Sequence, residues 1–163
     1  MNPLRLLAST AAGRLRYVAM AWWLALAPSL ALFALRVAFD GASLTPPPLP
    51  DPAGFALYSI VVAPLVETAV MIPLALALLH LPFGSDWPRA VLLAALAALA
   101  HGFGGSAWQV ALAFWPFVVY AAALYAWRTR SLADAYLVTV AIHMLFNGAI
   151  FAAGVLAHVV AGG

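Results

Sequence analysis

The sequence predicts an all-α, polytopic transmembrane helix bundle of about five spans, on three observations. Of its 163 residues, 67% are hydrophobic and only 7% are charged, where soluble domains carry about 25% charged residues. The apolar residues fall into five runs, each close to the roughly 20 residues that cross a bilayer core as a helix. The arginines collect in alternate connections, as expected of a chain that weaves through a membrane. Residues 1–163 read as a single membrane-embedded domain, with no internal repeat.

Span 1, about 17–36, follows Arg5, Arg14 and Arg16. It is longer than a signal-peptide core and ends in Arg36 without a small-residue cleavage site, so it is expected to be a retained helix. The connection 40–54 holds Pro46, Pro47, Pro48, Pro50 and Pro52, which favour extended polyproline geometry and predict a stiff surface loop. Span 2, about 55–81, carries Pro64 and Pro73 on either side of Glu67, and a kink that frees backbone carbonyls beside the carboxylate is expected. The stretch Pro82 to Pro88 reads as a turn that opens span 3, about 88–104, with proline at a helix start. Alanines from Ala94 to Ala100 permit close helix approach there. The glycine-rich break Gly102 to Ser106 precedes span 4, about 107–127, and Arg128 and Arg130 precede span 5, about 133–160.

Six arginines (Arg5, Arg14, Arg16, Arg89, Arg128 and Arg130) fall on one side of this five-span arrangement, and only Arg36 on the other. The positive-inside rule then puts the N-terminus in the cytoplasm and the C-terminus outside. Trp22, Trp23, Trp87, Trp108 and Trp127 lie near span ends, where interfacial anchors belong. The expected setting is the bacterial cytoplasmic (inner) membrane. Without lysines or a basic stripe the chain has no nucleic-acid footprint. Without cysteine it has no disulfide, thiolate metal site or cysteine nucleophile. Nothing in the sequence sets an oligomeric state.

Glu67 is the only glutamate, and it stands inside an apolar run. An acidic side chain at a helix centre costs roughly 2.5–3.5 kcal/mol, and such residues line a site or find a partner. At about 1.5 Å rise per residue, Glu67, His101 and Asn147 lie about 20 Å, and His143 about 15 Å, from the cytoplasmic ends of their spans. His143 and Asn147 are four residues apart and share a helical face, which Thr139 and Tyr136 extend. His80 and His158 fall near span ends, and Asp40, Asp51, Asp86 and Asp134 fall in or beside loops as solvated or capping residues.

Several intramembrane chemistries are absent. His101 is followed by Gly102, so there is no H-E-x-x-H; no two aspartates lie within spans; and Ser106 sits in a G-x-S that lacks the closing glycine of G-x-S-x-G. One carboxylate, two imidazoles and an amide remain. A carboxylate and a histidine can share general-base work on a water, while a second imidazole and an amide can donate to an oxyanion. The same groups could serve as packing hydrogen bonds in a noncatalytic membrane protein, or Glu67, His101 and His143 could bind zinc in a metal-dependent hydrolase.

The segments Ala63-Pro-Leu-Val-Glu67-Thr-Ala-Val-Met-Ile72, Leu96-Ala-Ala-Leu-Ala-His101-Gly and Val140-Ala-Ile-His143-Met-Leu-Phe-Asn147 resemble, in order, three motifs of the CAAX protease and bacteriocin-processing (CPBP, or ABI) family: E-E-x-x-x-R, F-x-x-x-H and H-x-x-x-N. The resemblance runs from Ala63 to Asn147, about half the chain. It implies a metal-independent, glutamate-type intramembrane endopeptidase that needs no cofactor and acts on a membrane-embedded or lipid-associated peptide or protein. Glu67 and His101 would activate water, and His143 and Asn147 would form the oxyanion hole. Thr68, Ile72 and Ala97 stand where the family has its second Glu, its Arg and its Phe, so Glu67 is expected to carry the acidic function alone.

Overall fold

A computed structural model describes residues 7–40, 51–103 and 105–160. Arg5, Gly104 and most of the proline-rich connection, 41–50, lie outside the described residues. The chain is an all-helical membrane bundle: α1 Arg14–Asp40, α2 Pro52–Leu78, α3 Asp86–His101, α4 Ala107–Trp127 and α5 Leu132–Val160. Four of these, α1, α2, α4 and α5, are long and apolar enough to cross a membrane. The fifth, α3, has 16 residues and measures about 24 Å, short of the about 30 Å hydrocarbon core.

Local chemistry sets the ends. Gly13 takes a positive φ of 75° immediately before α1, a conformation open to glycine. Asp51 caps α2 by accepting the Gly54 N–H at 2.9 Å, with Pro52 at the first helical position. This starts α2 three residues earlier than the hydrophobic pattern predicts. Ser106 opens α4, its backbone N–H donating to Gln109 Oε1 at 2.7 Å, so the serine of the incomplete G-x-S marks a helix start.

The central element is α4, on which all four other helices pack. Every residue from Pro116 to Tyr125 is buried, as a helix apolar on all sides requires. Around it α1 touches α5, α5 touches α2, and α2 touches α3. Alanines at the contacts, Ala21 and Ala25 on α1 and Ala90, Ala94 and Ala98 on α3, let the backbones approach closely.

One end of the bundle is tied by arginines. Arg89 uses all five of its donors: Nε on Leu78 O at 3.1 Å, Nη1 on Ser85 O at 3.0 Å and Asp86 Oδ1 at 3.2 Å, and Nη2 on Leu81 O at 3.0 Å and Phe83 O at 2.9 Å. Leu78 O and Leu81 O also accept the N–H groups of Leu81 and Phe83, so the guanidinium adds a second bond to each and ties the turn after α2 to the start of α3. Arg128 Nη2 reaches Asp86 at 2.9 and 3.1 Å, Arg14 pairs with Asp134, and Arg130 Nη2 donates to Thr10 O at 2.9 Å. Asp86 and Asp134, each in the first turn of its helix, are thus also ion-pair partners. Trp127 is likewise no interfacial anchor: it is fully buried, its ring edge-on to Tyr17 at 5.4 Å.

The far end is built differently. No residue of 30–39, 51–63, 107–115 or 144–159 is buried. The cause is length. α3 stops at His101 and α4 begins at Ala107, while α1, α2 and α5, of 27, 27 and 29 residues, run on for about 40 Å at about 1.5 Å per residue.

Candidate active site

Pro64 and His143 are the residues of α2 and α5 at which burial begins and ends, and the site lies at this border. Glu67 Oε1 is 3.8 Å from His101 Nε2, and Glu67 Oε2 is 3.6 Å from His143 Nε2. One carboxylate therefore faces two imidazoles from two other helices. Side-chain exposure grades across the group, from 44% at His101 and 30% at Glu67 to 4% at His143, so His101 is the outermost member and His143 the innermost.

Aromatic rings from α4 hold the imidazoles. Tyr120 stacks on His143 with centroids 4.3 Å apart and planes at 27°, and Phe117 meets His101 edge-on at 4.9 Å. Phe117 and Tyr120 were not singled out by sequence reasoning. The signal available was a phenol at the middle of span 4, three residues after Phe117 and hence on one helical face with it.

Asn147 shares a cavity wall with His101 and His143, but its Nδ2 donates to Ser59 O at 2.8 Å. The backbone explains why that carbonyl is open. Tyr58–Val62 winds as a π-helix, in which the Ala63 N–H reaches Tyr58 O five residues back. The next donor in this pattern would be residue 64, a proline without an N–H, so Ser59 O loses its intrahelical partner. Asn147 replaces it. The carbonyl freed by Pro64 is thus captured by α5, where the sequence pattern suggested a kink with free carbonyls.

The rest of the predicted polar face of α5 is also present. Thr139 is buried one turn before His143, and Tyr136 Oη donates to Leu65 O at 3.2 Å. Around the carboxylate, Glu67 Oε2, Thr68 Oγ1, Tyr120 Oη, Thr139 Oγ1 and His143 Nδ1 are buried without a hydrogen-bond partner among the described residues. Trp22 Nε1, Arg36 Nε, Trp127 Nε1 and Arg128 Nε share this property, and groups of this kind are met by water or by a ligand. His80 and His158 are exposed and take no part.

A cavity of about 120 Å³ adjoins the group, with His101, His143 and Asn147 on its polar side. A larger one, about 330 Å³, lies at the arginine end beside Asp86, Trp87 and Thr129, away from Glu67. No set of three or more metal-ligating side chains among the described residues is arranged to hold a metal ion. No family model matches the chain, and no curated protein or solved structure matches it either.

Proposed function

We propose that the chain is an intramembrane endopeptidase of glutamate type, resembling the CPBP family, that cleaves a membrane-embedded or lipid-associated peptide or protein in the bacterial cytoplasmic membrane. The observation that carries this reading is the Glu67 carboxylate set 3.8 Å from His101 Nε2 and 3.6 Å from His143 Nε2, at the depth where the bundle changes from closed to open. A water about 2.8 Å from both Glu67 Oε1 and His101 Nε2 fits a triangle on that 3.8 Å base. Glu67 takes a proton from this water, and the oxygen adds to the peptide carbonyl carbon. Charge gathers on the carbonyl oxygen, where the His143 N–H and the second hydrogen of the Asn147 amide donate. Collapse breaks the C–N bond, the proton passes from Glu67 to the leaving nitrogen, and a carboxylic acid and an amine result, the acid then ionising to water. No step calls for a metal.

The test is a comparison of peptide termini in membranes from cells carrying the native chain and cells carrying Glu67→Gln. New termini present only with the native chain are expected; identical termini in the two would overturn the reading. A noncatalytic membrane protein of the same fold is the second reading. It is favoured by the commitment of Asn147 to Ser59 O and by Thr68 and Ile72 in the first motif. Function retained by Glu67→Ala would select it.

A further inference from the structure

The cavity of about 120 Å³ beside Glu67 has two unlike sides. Its polar side carries His101, His143 and Asn147, whereas Leu112, Ala113, Pro116, Phe117 and Phe146, with the Tyr120 ring, form the rest. An apolar recess that shares its walls with the reacting groups is placed to hold a substrate side chain. Which side chain follows from connectivity. A carbonyl whose oxygen sits against His143 and Asn147 carries its own Cβ only two bonds from the carbonyl carbon, so the side chain of the residue that donates the carbonyl is the one nearest the recess.

Volume sets the size of that side chain. A closed cavity of about 150 Å³ lined by aliphatic and aromatic groups takes up a benzene ring; this recess is smaller and half-open, its walls Leu112, Ala113 and Phe146 only partly buried. The branched side chains of valine, leucine and isoleucine fit between these walls, while an indole extends beyond them. Most of the wall is hydrocarbon, so a charged or amide side chain lying against Leu112, Ala113, Pro116, Phe117 and Phe146 loses hydration and is disfavoured. Ala113 contributes only a methyl group to the wall, and its substitution shortens the recess most directly. Phe146 is a large wall residue that is only partly buried, and its truncation enlarges the recess.

Resting on the peptidase reading, we infer that this recess selects a short branched aliphatic residue immediately N-terminal to the scissile bond, with Ala113 and Phe146 setting the size limit. The experiment reads the C-terminal residue of every Glu67-dependent cleavage product in membranes of cells expressing the full chain. Native chain, Ala113→Phe and Phe146→Ala are compared at matched membrane levels of folded protein. Products of the native chain are expected to end mainly in Val, Leu or Ile. Ala113→Phe should move them to Ala and Gly, with the Leu-to-Ala ratio falling at least about tenfold, the scale of a few methylenes in an apolar pocket. Phe146→Ala should admit Phe.

Glu67-dependent products whose terminal residues are unselective, or unmoved in both variants, overturn the inference while the peptidase reading stands. If Ala113→Phe does not reach the membrane folded, Phe146→Ala decides alone, by whether Phe-ended products appear. Absence of any Glu67-dependent product overturns both.

Discussion

The two halves of the bundle are made from equally apolar helices and do different things. At the arginine end, Arg89, Arg128 and Arg14 lock the turns, Trp127 of α4 is buried against Tyr17, and the alanines of α1 and α3 are buried at the helix contacts. At the far end the same helices carry no buried residue. Glu67, His101, His143 and Asn147 fall on the boundary. Groups that must exchange water and substrate need an open side, and groups that must hold geometry within a fraction of an ångström need a packed side. The gradient of exposure from His101 to His143 provides both. The comparison teaches that rigidity and access are separated along the membrane normal, so substitutions in the two halves should fail in different ways.

The largest expected effect is at the boundary. On the proposed peptidase reading, Glu67→Gln keeps shape and removes the proposed base, so cleavage should fall by at least about a hundredfold, the low end of what a positioned base contributes. Protein level and thermal unfolding in detergent should stay close to native, because Glu67 meets the two imidazoles only at 3.6 and 3.8 Å, beyond hydrogen-bond distance. A variant that cleaves at the native rate would erase the distinction between the halves as far as chemistry is concerned.

Next comes the closed half. Arg89→Ala removes five hydrogen bonds at once and leaves Asp86 with Arg128 alone. A loss of about 3 kcal/mol is expected, a conservative figure given about 1.5–3 kcal/mol for a single charged hydrogen bond. It should be read as a lower unfolding temperature with cleavage per folded molecule preserved. Cleavage lost without loss of stability would show that the closed half reaches into the chemistry.

Sequence alone brought Glu67, His101, His143 and Asn147 to one depth, because hydropathy bounds a helix and a constant rise turns residue number into height. It could not say which span is central. In a membrane protein lipid-facing and protein-facing positions are both apolar, so the burial of Pro116 to Tyr125 has no hydropathic signature. For the same reason Trp127 looked like an interfacial anchor. The partner of Asn147 was hidden for another reason. It is a backbone carbonyl, whose only mark in the sequence is Pro64 five residues further on.

That partner makes Asn147 the residue where the two halves' logics overlap. Asn147→Ala orphans Ser59 O and should cost about 1–3 kcal/mol of stability whether or not the amide also serves the oxyanion. Adding Pro64→Ala separates the roles. Residue 64 regains an N–H, the π-wound segment can satisfy Ser59 O within α2, and the double variant should recover most of the stability. If the amide also donates to the oxyanion, cleavage stays lower by about 10²–10³ in the stable double variant. Recovery of both would reduce Asn147 to packing.

The smallest effect belongs to the same device away from the site. Pro28 cannot donate to Leu24 O, and Trp115 Nε1 supplies that bond from α4 at 2.7 Å. Trp115→Phe should cost about 1 kcal/mol, seen as a drop of a few degrees in unfolding temperature. Pro28→Ala introduced alongside should return most of it by restoring the N–H inside α1. Cleavage per folded molecule should be native in both, since Trp115 touches neither Glu67 nor the histidines. The contrast between the two rescued pairs is what gives each its meaning. Both repair a proline-freed carbonyl with a side chain from a neighbouring helix, and only the pair at the boundary should leave a catalytic deficit after stability is restored. A deficit left by the Trp115 pair would mean that the span between α1 and α4 transmits strain to the site, and the border at His143 would then lie further toward the far end than burial places it.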